Sequence, residues 1–340
     1  MASLPKTTQG ATGHPTSVVP LACLLGVVVL LSSVTPVIKY VFQHSHVQPI
    51  GLASLRVMIG FLLLLSMTWL LDRRGLLSLS LKDLARLGSI GLLGVFSYAI
   101  SAWGLMNTSV VHYALIYGLL PSLTAGLSVV FGHDRITAPK GIGILLSLAG
   151  CIVALYFAAP HEEAAFQFGD WFVLLFTVMM SAHIVFSSSV VKRFGVMVSN
   201  TVMFGSSSLV LSVGSMAWPN AGPDDSSPLV MVFIFYIGCA TAAVFLLRCR
   251  SLQSLSPATV GTYHNLIPVC TVLLAFLCLY EPLGSGTILG GLMVLVGAEV
   301  VRRPQSLSSA ALCWAKPRLP APETPKERRL HGVAVITPPE

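Results

Sequence analysis

Two polar clusters sit inside long apolar stretches. His112, Tyr113 and Tyr117 lie in Val110 to Phe131, and Thr262, Tyr263, His264 and Asn265 lie in Pro257 to Tyr280. Imidazole, phenol and amide groups so placed can hydrogen-bond a small polar solute, and a histidine can carry a proton. Hydrogen bonding between helices favours the same residue types and is the plainer alternative. Arg56, seven residues into the apolar run Pro49 to Leu71, would attract a carboxylate or phosphate if it faces a cavity, or else pair with helix carbonyls. Tyr98, Trp103 and His183 could add to the lining, although each alone is more often a packing residue. Pro121 and Pro268 follow the two clusters; each removes a backbone donor and makes either a hinge or a simple kink.

Other chemistries lack their residues. There is no Gly-rich phosphate loop ending in Lys-Ser or Lys-Thr. The run Ser206-Ser207-Ser208 has no base near it in sequence, and no pair of histidines with a carboxylate stands at zinc-ligand spacing. No catalytic residue, metal or cofactor is therefore expected. The 7 cysteines show no metal or disulfide pattern. No Asp or Glu falls in the middle of an apolar stretch, Glu299 coming nearest, which disfavours cationic cargo and favours neutral, zwitterionic or anionic solutes. Lys39, near the end of the first stretch, is expected to snorkel to the interface.

The elements that must hold these residues follow from composition. Of 340 residues, 54% are hydrophobic and 10% charged, which places most of the chain in lipid. A spanning helix needs about 20 apolar residues, and ten stretches meet that criterion: Val18 to Val41, Pro49 to Leu71, Leu84 to Met106, Val110 to Phe131, Ala138 to Phe157, Gly169 to Val191, Asn200 to Trp218, Pro228 to Leu247, Pro257 to Tyr280 and Leu283 to Val301. Alternate connections carry the cations, Arg73 and Arg74, Arg135 and Lys140, Lys192 and Arg193, Arg248 and Arg250, then Arg302 and Arg303. The others carry His44, Glu162, Asp224 and Glu281 without Lys or Arg, so both termini are expected to be cytoplasmic. The net charge of +7 is read as topology and attraction to anionic lipid, with no nucleic-acid partner. Residues 1–17 form a cytoplasmic lead, and the Pro- and charge-rich residues 304–340 a disordered cytoplasmic tail.

A 147-residue shift superimposes Ser256 to Val301 on Ser109 to Ala154, pairing Pro268 with Pro121, Glu281 with Asp134, Gly290 with Gly143, Gly297 with Gly150 and His264 with Tyr117. Five spans per copy make the second half enter the membrane from the opposite side. The expected fold is an all-α integral membrane protein of ten transmembrane helices, arranged as two inverted five-helix repeats over residues 18–157 and 169–303, with the two polar clusters facing each other across the axis.

The repeated Ser-(x)9-Leu-x-Pro spans, Ser109 to Pro121 and Ser256 to Pro268, are each followed by an acid, Asp134 or Glu281, and a Gly-studded span. With Leu55-Arg56-Val57 and Gly169-Asp170-Trp171, they resemble the EamA family of the drug/metabolite transporter superfamily. The chain departs from that pattern at Ser32 to Pro36, which lacks the family's Trp-Gly pair, and at Asp134, where Glu is commoner. The resemblance implies a cavity between spans 3, 4, 8 and 9, flanked by 1, 2, 6 and 7, with spans 5 and 10 peripheral, and alternating access; with no phosphate loop to hold ATP, gradient-driven export of a small metabolite such as an amino acid is the expected function. Substrate binding is expected from Arg56, Tyr98, Trp103, His112, Tyr113, Tyr117, His183, Tyr263, His264 and Asn265, with Pro121 and Pro268 as hinges. Transport of phosphorylated solutes, or a non-transporting scaffold acting through its tail, are the alternatives. Short loops suit a bacterial inner membrane, and monomer or homodimer stays open.

Overall fold

A computed structural model describes residues 18–132, 137–156, 166–217, 227–252 and 263–302. Asp134, Thr262, the lead 1–17 and the tail 304–340 lie outside the described residues.

The described chain is helical throughout: α1 Val18–His44, α2 Pro49–Leu77, α3 Leu81–Met106, α4 Val110–Tyr117, α5 Leu120–Val130, α6 Ala138–Tyr156, α7 Phe168–Phe194, α8 Val196–Met216, α9 Pro228–Leu252, α10 Leu266–Leu279 and α11 Ser285–Arg302. Seven segments are long and apolar enough to cross a bilayer, with α4 and α5 counted together as one bent span, while Pro228–Val244, Leu266–Leu279 and Ser285–Val301 are shorter apolar helices. Several starts are written in the sequence. Ser80 and Asp83 form a reciprocal capping box ahead of α3, and Ser109 caps α4 by accepting from His112 N at 3.0 Å.

The stretch Val110 to Phe131, read from sequence as a single helix, is broken at Gly118 and Leu119. Pro121 has no N–H to give and its ring would strike the carbonyl of Tyr117. The chain tightens instead, Leu119 N donating to Ile116 O at 3.0 Å, and restarts as α5 with Pro121 in its first turn, where the missing donor costs nothing. The second half breaks at the matching position: Asn265, 147 residues after Gly118, is a turn residue ahead of α10, and Pro268 lies in that helix's first turn.

Packing repeats as well. The pairs α3 with α7, α3 with α8, and α1 with α10 each have a counterpart with the halves exchanged, in α1 with α9, α2 with α9, and α5 with α7. Helices α2 and α8 pack on each other, as do α6 and α11. The last pair runs antiparallel at glycine contacts. A Cβ on Gly143 would stand 2.7 Å from Gly297 O, and one on Gly150 2.7 Å from Gly290 O. Backbones this close exclude any side chain, which is how apolar helices gain contact without a hydrophobic driving force between them.

Candidate substrate cavity

Between these helices lies a cavity of about 320 Å³, lined from α1 to α5 and from α7 to α10. That is the low end of the range for small-ligand sites, roughly 300–1,000 Å³. None of its lining residues comes from α6 or α11 among the described residues. Its two ends differ. At the Lys/Arg-rich end it reaches Val191, three residues before α7 ends, and Val196, where α8 begins. Towards the other end it stops at Ile38, six residues before α1 ends, at Tyr98, eight before α3 ends, at Phe176, eight after α7 begins, and at Tyr113, three after α4 begins. Those offsets leave about 5–12 Å of helix beyond the lining at that end, at a rise of about 1.5 Å per residue.

Arg56 supplies the cation on the cavity wall. Its Nε donates to Thr241 Oγ1 at 2.9 Å, and its guanidinium carbon lies 4.9 Å from the Tyr98 ring centroid. Thr241 in turn donates to Ile237 O at 2.7 Å, so its single hydroxyl proton is committed and its oxygen is fixed towards the arginine. Among the described residues no carboxylate pairs with this guanidinium. Across the cavity, Tyr113, Tyr117 and Phe176 stack, with ring centroids 5.8–6.3 Å apart. The Tyr113 hydroxyl meets Ser101 Oγ at 2.7 Å. His183 donates from Nδ1 to Ile90 O at 3.2 Å and lines the cavity beside Asn200 and Ser207.

Of the residues singled out from sequence, Arg56, Tyr98, Tyr113, Tyr117, His183, His264 and Pro268 line this space. The others lie elsewhere. Trp103 is 38% exposed on the outer face of α3. His112 is 4% exposed and bonded through Nδ1 to Asp170 Oδ2 at 3.0 Å. Asn265 sits at the helix break, where its side-chain amide donates to Glu299 Oε2 at 3.4 Å. Tyr263, two residues earlier, and Pro121, in the first turn of α5, are absent from the lining. Lys39 donates to Leu105 O at 3.1 Å and Thr108 O at 2.6 Å, around the end of α3. Thr241 and Asn200 were passed over in the sequence, and Ser207 was weighed only as a nucleophile, because a hydroxyl or amide in an apolar helix carries no mark of which neighbour it faces.

A model of the EamA-like transporter family matches residues 19–156 and again 167–303. The chain belongs to the EamA-like transporter family. It is 26% identical over 277 residues to an uncharacterized transporter of Archaeoglobus fulgidus, covering 78% of this chain and 92% of that one. It is 25% identical over 228 residues to the uncharacterized transporter YyaM of Bacillus subtilis, covering 64% and 73%. A WAT1-related protein of Arabidopsis thaliana is 22% identical over 277 residues, covering 72% and 78%. One solved crystal structure superposes with a TM-score of 0.60 at 16% identity, covering 83% of this chain and 95% of its own, which shows a shared fold. This EamA-family chain is accordingly a multi-pass membrane transporter. Two tandem copies of the family unit account for the 147-residue register.

Proposed function

We propose that the chain is a secondary transporter that exports a small organic solute bearing a carboxylate, amino acids and related acids included, by alternating access. The carrying observation is Arg56, a cation inside the bundle that is steered by Thr241 and stacked on Tyr98 yet has no acidic partner among the described residues. A half-buried guanidinium without a counter-charge is a ready partner for an anion, and a carboxylate cargo supplies the missing charge through bidentate bonds. The stacked Tyr113, Tyr117 and Phe176 would hold the apolar part of the same solute.

The antiparallel α6 and α11 and the exchange-symmetric packing support two inverted five-helix halves, with ten spans in all. Cations at one end support a cytoplasmic face there, so that the cavity opens inward and both termini are cytoplasmic, in keeping with a plasma membrane of bacterial type. A phosphorylated cargo is less well served, since Lys39 is turned to the sealed end and leaves Arg56 without a second full charge.

The test is thermal unfolding of the purified chain in detergent against matched carboxylates, amines and sugar phosphates, since a ligand of the folded state raises its apparent stability. A shift with one carboxylate class, lost in Arg56→Gln, is expected. Shifts with amines only, or shifts that persist in Arg56→Gln, would overturn it.

A further inference from the structure

The sealed end holds a second group of titratable side chains, which the cavity does not use. Asp170, fully buried at 0% exposure, accepts from Thr108 Oγ1, from His112 Nδ1 at 3.0 Å and from Gln167 N at 2.8 Å. From α1, Lys39 binds the carbonyls of Leu105 and Thr108. From the α10–α11 connection, Glu281 takes the amides of Val110 and Val111 at 2.9 Å each. Gly169 N adds a bond to Asn107 O at 3.2 Å. Each element that must part from the α3–α4 turn before this end can open therefore holds that turn, and α1, α7 and the α10–α11 connection do so through a charged side chain.

The charges of this cluster sum in two ways. Lys39 offsets Glu281, and Asp170 then leaves one negative charge unless His112 carries a proton. The Cys151 thiol of α6 is a further titratable group near enough to feel Asp170. Burying a net charge is costly, whereas a proton on His112 makes the cluster neutral and its bond to Asp170 charge-assisted. Opening this end would return both groups to water, where a net charge carries no such cost and the cluster need not be neutral.

We infer that His112 and Asp170 form a proton site loaded as this end closes, so that one proton is exchanged for each solute carried the other way. The inference rests on the transport reading above. The pair takes a proton from the outer compartment as an N–H bond on His112 and the end shuts. The proton then leaves towards the cavity, which begins at Tyr113, the next residue of α4. The unprotonated pair holds the turn less firmly, and the loaded protein opens outward. One proton crosses per cycle and no other bond changes.

The test needs no cargo, which keeps its failure separate from that of the carboxylate reading. Hydrogen exchange of the full chain in lipid nanodiscs is followed at the amides of Val110 and Val111 between pH 6 and 8, corrected for intrinsic rates and referenced to α6 and α11. For a closure that binds one extra proton, protection should fall with rising pH by up to about tenfold per unit. The slope should vanish in His112→Gln and in Asp170→Asn. Glu281→Gln should lower protection at every pH and keep the slope. A wild-type profile without a slope, or the same slope in His112→Gln, would overturn the inference; should Asp170→Asn not fold, His112→Gln decides.

Discussion

The two ends of the bundle use charge in opposite ways. At the sealed end four titratable side chains converge on one turn, and each has partners: Lys39 on carbonyls, Glu281 on amides, and His112 with Asp170. In the open cavity the Arg56 guanidinium is fixed by a threonine and has no acid beside it among the described residues. Paired charge holds a structure shut, while an unpaired one awaits a ligand. A charged side chain in this bundle thus takes its role from what faces it, not only from its own cost of burial.

Several substitutions would sharpen or break this contrast. The largest effect is expected from Asp170→Ala, which strands His112 and Thr108. Removing one partner of a buried pair costs about 3–5 kcal/mol, seen as faster exchange at Val110 and Val111. Arg56→Ala should weaken cargo binding about 10- to 150-fold, the equivalent of about 1.5–3 kcal/mol for bonds to a charged group, and should leave the sealed end's exchange unchanged. If Arg56→Ala loosens that end as well, the separation of the two regions is wrong. Gly150→Leu drives a side chain into Gly290 O and should lower unfolding stability by about 1–3 kcal/mol, read as a lower melting temperature with the cargo preference intact. The smallest effect belongs to Trp103→Ala. An exposed ring outside the cavity should change affinity by less than about twofold, comparable to other surface changes.

Much of the fold was legible because it rests on local chemistry. Pro121 and Pro268 announce the breaks at Gly118 and Asn265, and the paired glycines of α6 and α11 announce the close contact. Arg56 was legible through its cost alone. The sealing cluster was not, since Asp170 and His112 lie 58 residues apart and Glu281 reaches Val110 across 171. Spacing along a helix tells which residues share a stripe, not which neighbour they meet. In these helices lipid and protein faces are both apolar, so the amphipathic signal that orients a helix in a soluble protein is weak. Trp103 and His112 were placed in the cavity from sequence for that reason, and only the packing separates them from Tyr98 and Tyr113.

Sided labelling tests the difference between the ends most directly. In a chain whose native cysteines are replaced, Ser187→Cys on the cavity wall and Leu105→Cys beneath the sealed turn are treated with a membrane-impermeant maleimide from either face of the membrane. Reaction of Ser187→Cys from the face carrying Arg193, slowed by a bound carboxylate, together with protection of Leu105→Cys from both faces, is the expected result. Equal labelling of the two positions, or labelling of Ser187→Cys from the opposite face alone, would contradict a cavity open at one end and latched at the other.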